Sequence, residues 1–116
     1  MKQQDKIKFL LQLSHSLALT KKRVVYVAGK VGGLAPEVYE AKFAKSQATL
    51  EAKGYYVLNP CSFVEPGTDW AEAMRICLAL LGMADFIYLQ SDWEDSPGAK
   101  IEHACAIKLG LTTVYE

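Results

Sequence analysis

Ser96, Gly98 and Glu102 lie two and four residues apart, and those residue types at that spacing suit a sugar or a phosphate. Ser96-Pro97 reads as a helix start, with a hydroxyl N-cap and proline in the first turn. The free N–H groups at such a start, those of Gly98 and Ala99, can hold a phosphate or sugar oxygen. Helical side chains lean toward the N-terminus, so the Glu102 carboxylate points at whatever binds there. Four residues rise roughly 6 Å, about the span of a sugar ring. A carboxylate so placed could attack the anomeric carbon of a nucleoside and leave a glycosyl–enzyme intermediate, as in retaining glycosidases. The plain alternatives are a solvated helix glutamate and an ordinary N-cap.

Other candidates flank this segment. Tyr26 could orient Glu102 or a sugar hydroxyl, or be a core tyrosine with one wet end. Gly29, Gly32 and Gly33 form a flexible loop suited to close approach by a phosphate. Asp92, Glu94 and Asp95 surround Trp93: an acid here could protonate a departing base, and the indole could stack on it. A merely solvated acidic loop is the competing explanation. Asp69 and Asp85 fit a helix cap and a strand-edge turn, and His103, Cys61 and Cys105 have no partner spacing.

The elements that must position these residues alternate between strand and helix patterns. Residues 24–28 form a β-branched and aromatic run closed by Gly29. A helix from Pro36 follows, through Tyr39, Phe43 and Leu50 to Lys53-Gly54. Residues 55–58 read as a strand ended by Asn59-Pro60, and 61–68 as a loop. Asp69 with Glu72 is an acidic capping pair ahead of a helix whose apolar stripe is Trp70, Ala73, Met74, Cys77, Leu78 and Leu81. Residues 85–89 form the third strand and 90–95 a polar loop. The last helix buries Ile101, Ala104, Cys105 and Leu109 and stops at Gly110, before a terminal strand at 112–115. Ile7, Leu10, Leu11 and Leu17 predict an extra amphipathic helix, packed on the sheet or on a second subunit.

Short strand–helix connections imply right-handed crossovers and a parallel sheet covered on both faces. The expected fold is therefore α/β, a Rossmann-like (flavodoxin-like) three-layer sandwich with strand order 2-1-3-4. Residues 1–22 are the N-terminal extension and 23–116 the main domain. Ligands of such sheets bind beyond the strand carboxyl ends where the order reverses, between strands one and three. The walls there would be residues 29–33 and 90–98.

Composition narrows the possibilities. The 116 residues make one domain, and basic and acidic residues balance at 13 each, which argues against nucleic-acid binding by bulk charge. Three cysteines without CxxC spacing suit reduced thiols in a cytoplasm, and two histidines leave a zinc site short of ligands. The early apolar run is interrupted by Gln12, Ser14, His15 and Ser16, unlike a signal peptide or a membrane span.

Taken in order, Tyr26-Val27-Ala28-Gly29, the Gly54 turn, Asn59-Pro60, Ala84-Asp85 and Ser96-x-Gly98-x-x-x-Glu102-x-x-x-Ala106 resemble the nucleoside 2-deoxyribosyltransferase-like superfamily. Within it the chain is most similar to a small prokaryotic and phage family, and more distantly to 2′-deoxynucleoside 5′-phosphate N-hydrolases. The resemblance implies a cofactor-free enzyme that cleaves or exchanges N-glycosidic bonds and assembles as a homodimer or larger. It makes Glu102 the nucleophile, Tyr26 its support, and Ser96 and Gly98 the loop for the 5′ group. One position departs. Superfamily members commonly carry an aspartate eight residues before the position of Asp85, and here that residue is Cys77. An unperturbed thiol, with a pKa of about 8.5, is a poor replacement for a carboxylate. Either an acid from the 92–95 loop supplies the proton, or the chain binds nucleotides without turning them over. A third possibility is an oligomeric interaction protein working through its N-terminal helix.

Overall fold

Val24–Ala28 form β1, with all five side chains buried, as befits a central strand covered on both faces. The computed structural model describes residues 2–116. β1 is preceded by α1 (Gln3–Leu19) and followed by α2 (Pro36–Ala52), β2 (Tyr56–Leu58), α3 (Trp70–Leu81), β3 (Phe86–Leu89), α4 (Pro97–Lys108) and β4 (Thr112–Tyr115). Short 3-10 turns at Pro60–Ser62 and Trp93–Asp95 lie in the loops after β2 and β3. The sheet order is β2-β1-β3-β4 and every pairing is parallel, as the sequence pattern predicts.

Alternation along β1 divides the core. Val24, Tyr26 and Ala28 pack with Leu80 and Leu81 of α3 and with Ala99 and Ala106 of α4. Val25 and Val27 pack with Phe43 and Leu50 of α2. The connection to β2 therefore runs over one face and the two later connections over the other. Right-handed crossovers require this when the chain first steps left of β1 and then right. The reversal point lies between β1 and β3.

Local rules account for the boundaries. Asp69 caps α3 by accepting from the Glu72 N–H at 3.3 Å, and Asp85 accepts from the Val24 N–H at 3.0 Å, tying the entry of β3 to that of β1. Gly54 and Gly110, both at positive φ, end the turns after α2 and α4.

Three helix faces differ from the sequence expectation. In α4 the buried residues are Ala99, Glu102 and Ala106, with Cys105 half-buried, while Ile101 is 39% and Leu109 60% exposed and Ala104 is also out. Glu102 turns inward, so the buried face is rotated by one residue from the one hydrophobicity selects. In α3, Trp70 is out of the core. In α1, Leu10, Leu13 and Leu17 pack on the α3 side and Ile7 and Leu11 face outward. Phe9 against Phe63 and a Lys6–Glu72 ion pair complete the seating of α1.

Gln90 locks the carboxyl end of β3 to α2. Its buried amide donates to the Lys42 carbonyl at 3.1 Å and the Ser46 hydroxyl at 2.9 Å, and its carbonyl accepts from the Lys42 ammonium. The side chain crosses directly over Gly29, where any β-carbon would collide with it. Gly29→Ala should therefore displace Gln90 and cost about 2–4 kcal/mol, from overpacking and unpaired buried amide groups. Urea denaturation of the two proteins measures it.

Candidate active site

Tyr26 occupies the middle of β1 on the face toward α4, and Glu102 sits in the second turn of α4. Their side chains meet inside the protein: the Tyr26 hydroxyl donates to Glu102 Oε2. Tyr26 is fully buried and Glu102 only 5% exposed. Burial pushes the Glu102 carboxyl up to about 7, and the tyrosine bond pulls against that rise. Burial likewise raises Tyr26 well above its ordinary value, and the neighbouring Glu102 and Cys77 add to this. Cys77 from α3 flanks the pair. Burial, then the Glu102 charge, push its thiol up to about 12 against the Tyr26 hydroxyl, so it stays protonated near neutral pH.

The start of α4 is built as its sequence predicts. Ser96 Oγ accepts from the Ala99 N–H at 3.1 Å, and Pro97 fills the first helical position. This cap consumes part of the expected anion clamp. The Ala99 N–H is spent on Ser96, so among the described residues the first turn presents the Gly98 N–H and the free hydroxyl hydrogen of Ser96.

These groups open onto a cavity of about 330 Å³ at the carboxyl ends of β1 and β3. The cavity takes in Tyr26, Gly29, Gly32, Asp95, Ser96, Gly98, Ala99 and Glu102 together, although they lie on two segments more than sixty residues apart. Three expected residues lie elsewhere. Gly33 serves a turn, at φ +83°, outside the cavity lining. Asp92 accepts from the Lys30 N–H at 3.0 Å and pairs with Lys42 at 2.9 Å. Burial alone would raise its pKa, but these bonds and the Lys42 charge hold it below the usual carboxylate range. It is an anion that ties two loops together, not a proton donor. Trp93 sits edge-on to His103, ring centroids 4.8 Å apart, and packs into the core beneath α4.

The cavity also contains residues that the sequence reading left out as site residues: Tyr39 of α2, Cys61, and Trp70 and Met74 of α3. Tyr39, Trp70 and Met74 have the spacing of ordinary core stripes, so periodicity conceals them, and Cys61 lies in a turn with no pattern of its own. The one available signal is a tryptophan in the first position after the Asp69 cap.

The site lies wholly within a recognisable family segment. The family described as "Domain of unknown function (DUF4406)" matches residues 23–115. The chain belongs to that family. Among solved structures, this DUF4406 chain is similar to a "2-desoxiribosyltransferase from Leishmania mexicana", with 20% sequence identity and a TM-score of 0.62. The match covers 80% of this chain and 63% of that one, so the chain spans less than two thirds of its neighbour's length. At this identity the likeness is one of fold. No curated protein matches the chain. No helix among the described residues is long and apolar enough to cross a membrane.

The pKa of Glu102 couples the site to stability. An acid whose folded pKa is raised binds its proton more tightly in the folded state. Its contribution is complete below the unfolded value near 4.5 and is lost as pH rises through about 7. The loss is of the order of 3 kcal/mol. Glu102→Gln should remove that pH dependence and be the more stable protein at pH 8, with urea midpoints across pH 4–8 as the measurement.

Proposed function

We propose that this protein breaks the N-glycosidic bond of a nucleoside or nucleoside 5′-monophosphate, with Glu102 as nucleophile, by hydrolysis or by 2-deoxyribosyl transfer. The supporting observation is the buried Tyr26–Glu102 pair at the floor of a cavity at the sheet's reversal point. Tyr26 holds Oε2 and leaves Oε1 free for attack. The C1′–O bond forms as the C1′–N bond breaks, and its electron pair leaves with the base. Asp95, the acid of the 92–95 loop that lines the cavity, carries a proton toward the base directly or through water. Water or the ring nitrogen of a second base then attacks C1′, and Glu102 departs as a carboxylate. The cavity is near the lower end for small-molecule sites, with room for one nucleoside. A transfer reaction would therefore exchange bases in turn, the first leaving before the second enters.

The Gly98 N–H and the Ser96 hydroxyl are the groups for the 5′ oxygen, and Gly29 and Gly32 line the approach. The same motif favours grouping the chain with the small prokaryotic and phage branch of the deoxyribosyltransferase-like superfamily. Residues 23–116 form the working domain in this reading, because no α1 residue lines the cavity. Free Cys61, Cys77 and Cys105 favour a reducing, cytoplasmic setting. The exposed apolar side chains of Ile101, Ile107 and Leu109 favour a homodimer or larger assembly.

Cys77 favours a second reading, a nucleotide or nucleotide-sugar sensor on the same fold, since its protonated thiol stands beside Glu102 in place of a second acid. A panel of nucleosides and 5′-monophosphates separates the two: an enzyme releases free base, whereas a sensor shifts the melting temperature and leaves the ligand intact. For the enzyme, Glu102→Ala should abolish release. Tyr26→Phe should slow it about 10- to 100-fold at pH 7, the worth of a hydrogen bond to a charged group. It should also move the acidic limb of the pH–rate profile, expected near pH 7 in the wild type, to higher pH. Equal activity in wild type and Glu102→Ala would end the assignment. Removal of residues 1–20 should leave ligand affinity within about twofold by calorimetry if α1 serves assembly only.

A further inference from the structure

Trp70 has no part in the chemistry above, yet its place is unusual. It opens α3 and remains 58% exposed while lining the cavity. The close approach of α3 to α4 holds it there. A β-carbon at Gly98 would come within 3.2 Å of Met74 Sδ and 3.9 Å of the Trp70 ring nitrogen. Glycine at 98 thus lets the first turn of α3 close over the first turn of α4, and brings the indole to the α4 N-terminus. Glu102 lies about one helical turn, roughly 6 Å, further along α4. The carboxylate is therefore at the cavity floor and the indole at its mouth.

Val64 and Met74 line the cavity with Trp70, and Tyr39 lines it from α2; such apolar and aromatic groups suit a flat ring rather than a sugar with its hydroxyls. Displacement at C1′ adds a geometric demand. The nucleophile and the leaving group occupy opposite faces of the anomeric carbon, so with Glu102 below the sugar the base must point toward the mouth. We propose that Trp70 is the stacking platform for the leaving base, and that this wall takes a planar heteroaromatic base, free or still attached to its sugar. The assignment of the base to this side rests on the glycosidic reading of Glu102; the affinity of the wall for a free base can be measured without it.

The two tryptophans make the test direct, because Trp93, half-buried against the core and edge-on to His103, is outside the cavity lining. The intact chain is titrated with adenine, hypoxanthine, cytosine and thymine, with 2-deoxyribose as control, while tryptophan fluorescence is followed. At least one base should quench saturably and the sugar should not. The quench should persist in Trp93→Phe and vanish in Trp70→Phe. By calorimetry, Trp70→Ala should bind that base about tenfold more weakly or worse, and Trp70→Phe within a few-fold of wild type. With a nucleoside that is turned over, Trp70→Ala should raise KM more than it lowers kcat. A quench that remains in Trp70→Phe, equal affinity in Trp70→Ala, or no binding of any base overturns the platform. Base release by the wild type, with KM unchanged in Trp70→Ala, overturns it while leaving Glu102 as nucleophile. Conversely, quenching through Trp70 with no base released from any nucleoside supports the platform and removes the glycosidase reading.

Discussion

A carboxylic acid buried to 5% exposure against a fully buried tyrosine hydroxyl is the constraint around which this small protein is arranged. An acid so placed is costly to ionise, and its partner must be supplied from the core itself. Tyr26 can reach Glu102 because β1 is the central strand and directs its even-numbered side chains toward α4. α4 in turn gives up one buried apolar position to accommodate the acid and exposes Ile101 in its place. The hydrophobic pattern of α4 is compromised at the position where the chemistry is proposed, as expected where function overrides packing.

The surroundings have two mechanical roles. On the α2 side, Gln90, Lys42 and Asp92 form a polar lock that ties the loop after β1 to the loop after β3. The Gln90 side chain of that lock accounts for the glycine at 29. On the α3 side the space stays open, because Gly98 lets α3 and α4 close at their first turns while Cys77 adds little bulk beside Glu102. On that side the cavity lining is largely apolar, with Trp70, Ala73 and Met74. Beside the Tyr26–Glu102 pair, Asp92 is held as an anion by its bonds to Lys30 and Lys42, and Cys77 is held protonated by burial.

Strand order and helix boundaries were legible because each rests on a local rule: β-branched runs, Pro36 and Pro97 in first turns, and Asp69 and Ser96 as caps. The convergence of Ser96, Gly98 and Glu102 was legible because it lies within one helix start. Tyr26 followed from the position of its strand. What the sequence hid were facts of competition between neighbours. That Asp92 would be claimed by Lys42, fifty residues earlier in the chain, depends on tertiary pairing and leaves no periodic signal. That Ala99 would spend its amide on Ser96 follows from the cap, which makes and consumes a donor at once. Trp70 looked like core because a three-four spacing cannot distinguish a wall of the core from a wall of a cavity.

Glu102 as a nucleophile entails a covalent intermediate, and intact-protein mass spectrometry after acid quench of a reaction with 2′-deoxynucleosides looks for it most directly. The expected result is one added deoxyribosyl group, mapped by peptide digestion to Glu102 and missing from Glu102→Gln. Release of free base by a protein that carries no adduct, or an adduct on another residue, would contradict the role assigned to Glu102.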